Sequence, residues 1–303
     1  MSQDYPPFPK ILDSTMIASF RSCPQKFFRE YMEHWKPNVP SVHLHAGGAY
    51  AKGLETAREA FYQDGKTAEE AMAEGLRALL TFYGSFECPP DSAKSAERMA
   101  GAFEYYFTQY PLGADEAIPI TLSSGKRGIE FSFAEPTDAT HPVSGDPLLY
   151  VGRMDMICDY AGGVFGLDDK TTSSLGSSWS KQWDMRSQFT GYCWGAGRAG
   201  IPLQGFLVRG VSILKTKYDT QQALTYRPQW MIDRWYDQLM KDIERMKAMW
   251  QAQEWDYDLD HACTEYSGCV FRQPCLSLDP QPWLESSFIR RVWNPLTRVE
   301  ESV

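Results

Sequence analysis

The sequence predicts an α/β fold: a helical first third leads into a sheet, and a cysteine-bearing tail follows. Three observations carry this. Apolar residues recur at helical spacing from Met16 to Tyr110. Near Ala117 the period changes to the alternation of strands. Residues 152–170, GRMDMICDYAGGVFGLDDK, read as two strands joined by a tight turn.

The elements follow in order. Residues 1–12 hold three prolines and read as a loose arm. Asp13-Ser14 opens a helix as a capping pair, ahead of Met16, Ile17, Phe20, Phe27, Phe28 and Tyr31. Cys23-Pro24 breaks it, because proline lacks the backbone donor, and a second helix runs to about Glu33. Pro37 and Pro40 mark a loop, and helices follow over about 47–62, 67–82 and 93–110. Ile118–Leu122 and Ile129–Phe133 alternate as strands. After the central hairpin come a serine-rich loop, Thr171–Ser180, a helix over 184–198, and a hairpin of 204–215 with 221–227. Pro228 starts a long helix to about Gln253, with Trp230, Trp235, Leu239, Ile243, Met246 and Trp250 near one stripe. With no internal repeat or low-complexity linker, the chain reads as one domain, 1–303. Its parts are a helical region (13–116), an α/β core (117–227), and a long helix with a cysteine-rich tail (228–303).

The central hairpin is where chemistry concentrates. With Gly162-Gly163 supplying the positive φ angles of a two-residue loop, Ala161 pairs with Val164 and Asp155 lies opposite Lys170. Side chains alternate along a strand, so Asp155, Asp168 and Lys170 share one face, and Met154, Met156, Cys158, Phe165 and Leu167 the other. Two crowded carboxylates repel each other unless a cation joins them, and a divalent cation prefers such oxygen ligands.

Composition bounds the function. The 303 residues are 43% hydrophobic and 23% charged, as in ordinary globular chains. A net charge of -9 argues against binding nucleic acid by bulk charge, but leaves room for a local basic groove. No apolar run approaches the roughly 18 residues of a membrane helix, and MSQDYPPFPK lacks the order of a signal peptide. A cytoplasmic protein is expected, in which seven cysteines are thiols or metal ligands rather than disulfides.

Three motifs in order resemble the PD-(D/E)XK nuclease superfamily, and its RecB-like branch in particular. Gly152-Arg153-Met154-Asp155 resembles the branch's G-x-x-D, and Asp168-Asp169-Lys170-Thr171 its D-x-K-T. Gln188-Phe189-Thr190-Gly191-Tyr192 resembles its Q-x-x-x-Y, with Gln188 and Tyr192 on one helix face. The resemblance implies a restriction-endonuclease-like core: a central mixed sheet flanked by helices. It implies a nuclease in which Asp155 and Asp168 hold Mg2+ or Mn2+, Lys170 attends the attacking water, and Gln188 and Tyr192 support the lysine or the DNA backbone. One departure stands out. Gly48-Ala49-Tyr50-Ala51-Lys52-Gly53-Leu54-Glu55 fits the setting of the branch's metal-binding histidine, but Ala51 occupies its place. Either Glu55 completes the metal shell, or His43 or His45 folds in from the loop, or metal binding is weakened; Glu130 is a further candidate.

Cys263, Cys269 and Cys275 are evenly spaced in a turn-rich tail, which suits a metal site. With Cys23, in Cys23-Pro24-Gln25-Lys26-Phe27, they resemble the iron–sulfur arrangement of a RecB-like subgroup that includes CRISPR-associated exonucleases and helicase-linked nucleases. The late spacing, x5 then x5, departs from the subgroup's usual x2 then x5. Four thiolates suit a [4Fe–4S] cluster and also Zn2+. Such a staple would close a loop of about 240 residues and restrict the unfolded chain by roughly 5 kcal/mol. Cys88, Cys158 and Cys193 read as core thiols.

Basic residues are scattered; Lys52, Arg153 and Arg186 would contact phosphates or form a solvated surface, while Trp179 and Trp183 would stack on unpaired bases or belong to the core. The expectation is a metal-dependent DNA exonuclease with an iron–sulfur cluster, in recombination, repair or phage DNA processing, alongside a recombination or helicase partner. A DNA-binding protein that has lost cleavage, suggested by Ala51, and an iron–sulfur electron carrier are the alternatives.

Overall fold

The computed structural model describes residues 5–39, 41–264, 268–297 and 299–302. In chain order, β1 (Ile11–Asp13), α1 (Ser14–Ser22), α2 (Pro24–Phe27) and β2 (Trp35–Pro37) come first. Then follow α3 (Val42–Arg58), α4 (Ala68–Tyr83) and α5 (Ala96–Gln109). The strands β3 (Ile118–Pro119), β4 (Ile129–Thr140), β5 (Pro147–Tyr160) and β6 (Gly163–Thr172) precede α6 (Ser177–Lys181) and α7 (Ser187–Arg198). Next are β7 (Gly205–Ile213), β8 (Tyr218–Tyr226) and α8 (Gln229–Ala252). The tail carries α9 (His261–Thr264), α10 (Arg272–Leu276), α11 (Gln281–Ser287), β9 (Phe288–Asn294) and β10 (Val299–Ser302).

The chain forms two compact units. One comprises 1–39, 133–152 and 233–303, the other 40–132 and 153–232. Both are discontinuous, and β4 and β5 each run from one into the other.

In the first unit β1 lies parallel to the start of β5, with Ile11 opposite Leu149 and Asp13 opposite Val151. Asp13 caps α1: its Oδ1 accepts from the N–H of Thr15 and of Met16, both at 2.8 Å. Its Oδ2 accepts from Trp293 Nε1 at 2.7 Å. The expected loose arm is packed instead: Phe8 is buried, and the carbonyl of Pro6 accepts from Trp250 Nε1 at 2.8 Å. The tail is more regular than its turn residues suggest, since β2, β9 and β10 form an antiparallel sheet. Phe271 stacks on Phe288 there, with centroids 5.0 Å apart.

In the second unit β6 is central: antiparallel to β5 and parallel to β7, which is antiparallel to β8. This is the mixed sheet expected. Alternation gives β7 two buried faces. Val211 and Ile213 pack with Tyr50, Leu54, Leu79, Phe103 and Phe107 of α3, α4 and α5. On the other face Phe206 stacks on Phe189 of α7, with centroids 4.5 Å apart. The helices sit close to their predicted places, but α3 starts at Val42, so His43 and His45 are helical rather than in a loop.

Candidate active site

The β5–β6 hairpin turns through Ala161-Gly162, not Gly162-Gly163. Tyr160 pairs with Gly163, and Ala161 and Gly162 hold φ angles of 47° and 80°. Both loop residues therefore adopt the left-handed conformation of a type I′ turn. The register shifts by two residues from the expected one, so Met156 pairs with Leu167 and the next step brings Asp155 beside Asp168 rather than Lys170. A two-residue slip preserves the face of every side chain, whereas one residue would reverse it. Met156, Cys158, Phe165 and Leu167 accordingly lie together in the apolar layer.

The ladder ends at Met156–Leu167. Beyond it, the backbone N–H of Asp169 donates to Asp155 Oδ2 at 2.8 Å. Burial, and next the charge of Asp168, push Asp155 above the usual carboxylate range, against Lys170, the Asp169 N–H and Arg58. Lys170 forms an ion pair with Asp168. Burial disfavours the lysine's charge, but Asp168 and then Asp155 outweigh it and hold Lys170 above its ordinary value. The Asp168 side chain is 5% exposed and that of Lys170 is 34% exposed, so the lysine is the group solvent reaches.

On α7, Gln188 Nε2 donates to Tyr192 Oη at 3.0 Å, across one helical turn. The tyrosine also adds to the field that keeps Lys170 charged. Asp155, Asp168, Lys170 and Tyr192 are thus one electrostatic group, with Gln188 bound to it through Tyr192. Two carboxylates under mutual repulsion suit a hard divalent cation.

The other predicted residues have partners of their own. Glu55 is ion-paired with Lys52 at 2.7 Å, and among the described residues no three Asp, Glu, His or Cys side chains are gathered to hold a metal. His45 Nε2 donates to the Tyr83 carbonyl at 3.0 Å, and its ring stacks on Phe86. Arg153 pairs with Glu130 at 2.9 Å. Arg186 is exposed beside the start of α7. Trp179 does not offer a base-stacking surface: it is 5% exposed and its ring covers Gly210, where a Cβ would collide with it. Trp183 is likewise buried, against Phe189.

Cys23, Cys263, Cys269 and Cys275 line one cavity of about 150 Å³, with Lys26 and Arg29. Burial raises the Cys269 and Cys275 thiols, and the other thiols of the cavity raise them further. Arg29 is 4% exposed, and its Nε and Nη1 have no hydrogen-bond partner. The four thiols share one cavity, but among the described residues no three of them are gathered closely enough to ligate one metal ion. Cys158 and Cys193 are buried as expected, whereas Cys88 is half-buried and donates to the Pro89 carbonyl.

Sequence spacing missed a polar group behind the hairpin. Arg58 pairs with Asp169 at 2.7 Å and donates to Tyr106 Oη at 2.7 Å. Tyr106 Oη also accepts from Arg209 Nη1 at 3.2 Å, and Arg209 forks the Asp115 carboxylate at 2.6 and 2.7 Å.

No curated protein sequence matches the chain. Solved structures align with it, among them these two. A candidate exonuclease from Eubacterium rectale is 13% identical, with a TM-score of 0.49, over 85% of this chain and 88% of that one. The protein SSO0001 is 13% identical, with a TM-score of 0.29, over 73% and 82%. The profile of the PD-(D/E)XK nuclease superfamily matches residues 14–276. That span contains the hairpin acids, the lysine, α7 and all four cavity cysteines, and by it the chain belongs to the PD-(D/E)XK nuclease superfamily.

Proposed function

We propose that this chain is a Mg2+- or Mn2+-dependent DNA exonuclease whose first unit is stapled by a metal–thiolate cluster, and that it acts in DNA recombination or repair. The observation that carries the reading is Asp155 beside Asp168 with Lys170 on the same face. The two carboxylates would hold the cation, which when bound lowers the pKa of a water and offsets phosphate charge. Lys170, held protonated by its acidic neighbours, donates to the water or to a phosphate oxygen and stabilises charge developing there. Tyr192, held by Gln188, adds to the field that keeps the lysine charged. Just past the end of β6, Ser173 and Ser174 line an open cleft of about 520 Å³ with Lys217, Asp219, Thr220 and Gln221. The hydroxyls, the Gln221 amide and the Lys217 ammonium there suit contacts to a nucleic-acid backbone, with Asp219 offsetting the charge of the lysine. Arg186 offers a further phosphate contact.

In the cysteine cavity, Arg29 would balance the excess negative charge that four thiolates bring to a [4Fe–4S] cluster or to Zn2+. Iron, sulfide and zinc analysis of anaerobically purified protein separates the two. The nuclease test is degradation of end-labelled linear DNA with Mn2+ or Mg2+. Asp155→Ala and Lys170→Met should abolish it, and wild-type rates in both would overturn the reading. A second reading, a DNA-binding protein that has lost cleavage, is favoured by Ala51 and by Glu55 being taken up by Lys52. DNA binding without turnover, with activity restored by Ala51→His, would select it.

A further inference from the structure

Asp169 lies between Asp168 and Lys170 but, by alternation, projects from the opposite face of β6. It is held twice. Its carboxylate pairs with Arg58, the last residue of α3, and the two side chains are only 2% and 4% exposed. Its N–H holds Asp155 Oδ2 at 2.8 Å, beyond the last β5–β6 pair. The peptide that would have continued the ladder thus binds a carboxylate instead.

A charge pair this deeply buried is costly unless its remaining hydrogen bonds are met. Here Tyr106 bridges Arg58 to Arg209 and Asp115 neutralises Arg209, while Asp169 Oδ1 is left without a hydrogen-bond partner and Arg58 is the carboxylate's one ionic contact among the described residues. Two arginines and two aspartates cancel, so the group is neutral and tied to β6, α3, α5 and β7. Asp169 is therefore fixed from behind while its amide fixes Asp155 in front.

We propose that Arg58 is a positioning residue for the cation site: through Asp169 it sets the amide that orients the Asp155 carboxylate beside Asp168. The proposal rests on the reading of Asp155 and Asp168 as cation ligands. A fastening role alone would cost stability and leave metal affinity untouched. Partners that orient metal ligands typically change metal affinity about 10–100-fold when removed.

The test is Mn2+ binding to the full chain without DNA, followed by the EPR signal of free Mn2+, together with urea unfolding. Arg58→Met should weaken Mn2+ binding by about 10–100-fold, with part regained in Arg58→Lys. If Arg58→Met alone does not fold, the pair Arg58→Met with Asp169→Leu leaves no unpaired buried charge. That double variant should recover stability but not Mn2+ affinity. Wild-type Mn2+ affinity in either folded variant overturns the positioning role. Failure of the underlying reading looks different: the wild type binds no Mn2+, or binds it equally well after Asp155→Ala and Asp168→Ala together.

Discussion

Lys170 is ion-paired with Asp168, two residues before it on the same strand and on the same face. One carboxylate therefore serves two cations, the ammonium already there and the metal ion proposed. Competition follows, because attraction falls only as the inverse of distance. Lys170→Met should bind Mn2+ as tightly as the wild type or several-fold tighter, while DNA cleavage is lost. Calorimetric titration with Mn2+ checks this, and weaker binding would show that the lysine supports the metal instead.

The turn offers a stability prediction. Ala161 carries a side chain at a φ of 47°, a conformation that glycine and asparagine tolerate better. Ala161→Gly, or Ala161→Asn to give an Asn-Gly loop, should stabilise the protein by about 0.5–1 kcal/mol. The urea midpoint should rise with no change in slope.

Asp13 accepts hydrogen bonds from two N–H groups in the first turn of α1 and from the Trp293 indole. Asp13→Ala removes the cap and leaves an indole N–H unsatisfied, so the loss should exceed the ~1 kcal/mol of an ordinary cap. Asp13→Asn should recover a part of it.

What the sequence could disclose depended on distance along the chain. Asp155, Asp168 and Lys170 share a face because strands repeat every two residues, and Gln188 meets Tyr192 because helices nearly repeat every four. Those periods are local. The glycine rule favours Gly162-Gly163 as the loop, whereas the turn runs through Ala161-Gly162, and moving the loop by one residue moves the register by two. Arg58 and Asp169 are 111 residues apart, and no period links α3 to β6. Trp179 looked available because a short helix shows no apolar stripe; only β7 passing beneath it, with glycine at 210, reveals its burial.

Lys94 supplies a pH dependence. It is buried, donates to Thr171 Oγ1 at 2.8 Å, and burial holds its pKa below the ordinary 10.5. The folded chain thus binds this proton less tightly than the unfolded chain. Stability relative to Lys94→Met should rise with pH from the depressed folded value up to about 10.5. Thermal melts of both proteins between neutral and alkaline pH test the sign.

Thiol reactivity separates the cysteines. Burial pushes Cys158 and Cys193 up to about 12. Thiolate is the reactive form, so brief iodoacetamide treatment of the native protein at mildly alkaline pH should leave both unmodified. Cys275 is exposed and should be alkylated once any bound metal has been chelated. Mass spectrometry of tryptic peptides reads both outcomes.

The backbone crosses between the two units at 39/40, 132/133, 152/153 and 232/233. Asp155 stands just past one of those crossings, on an unbroken strand. Neither unit can be excised as a continuous fragment, and a terminal truncation cannot deliver the hairpin half free of the cysteine half. Dissecting the chain calls for loop-shortened splices or permuted chains rather than deletions.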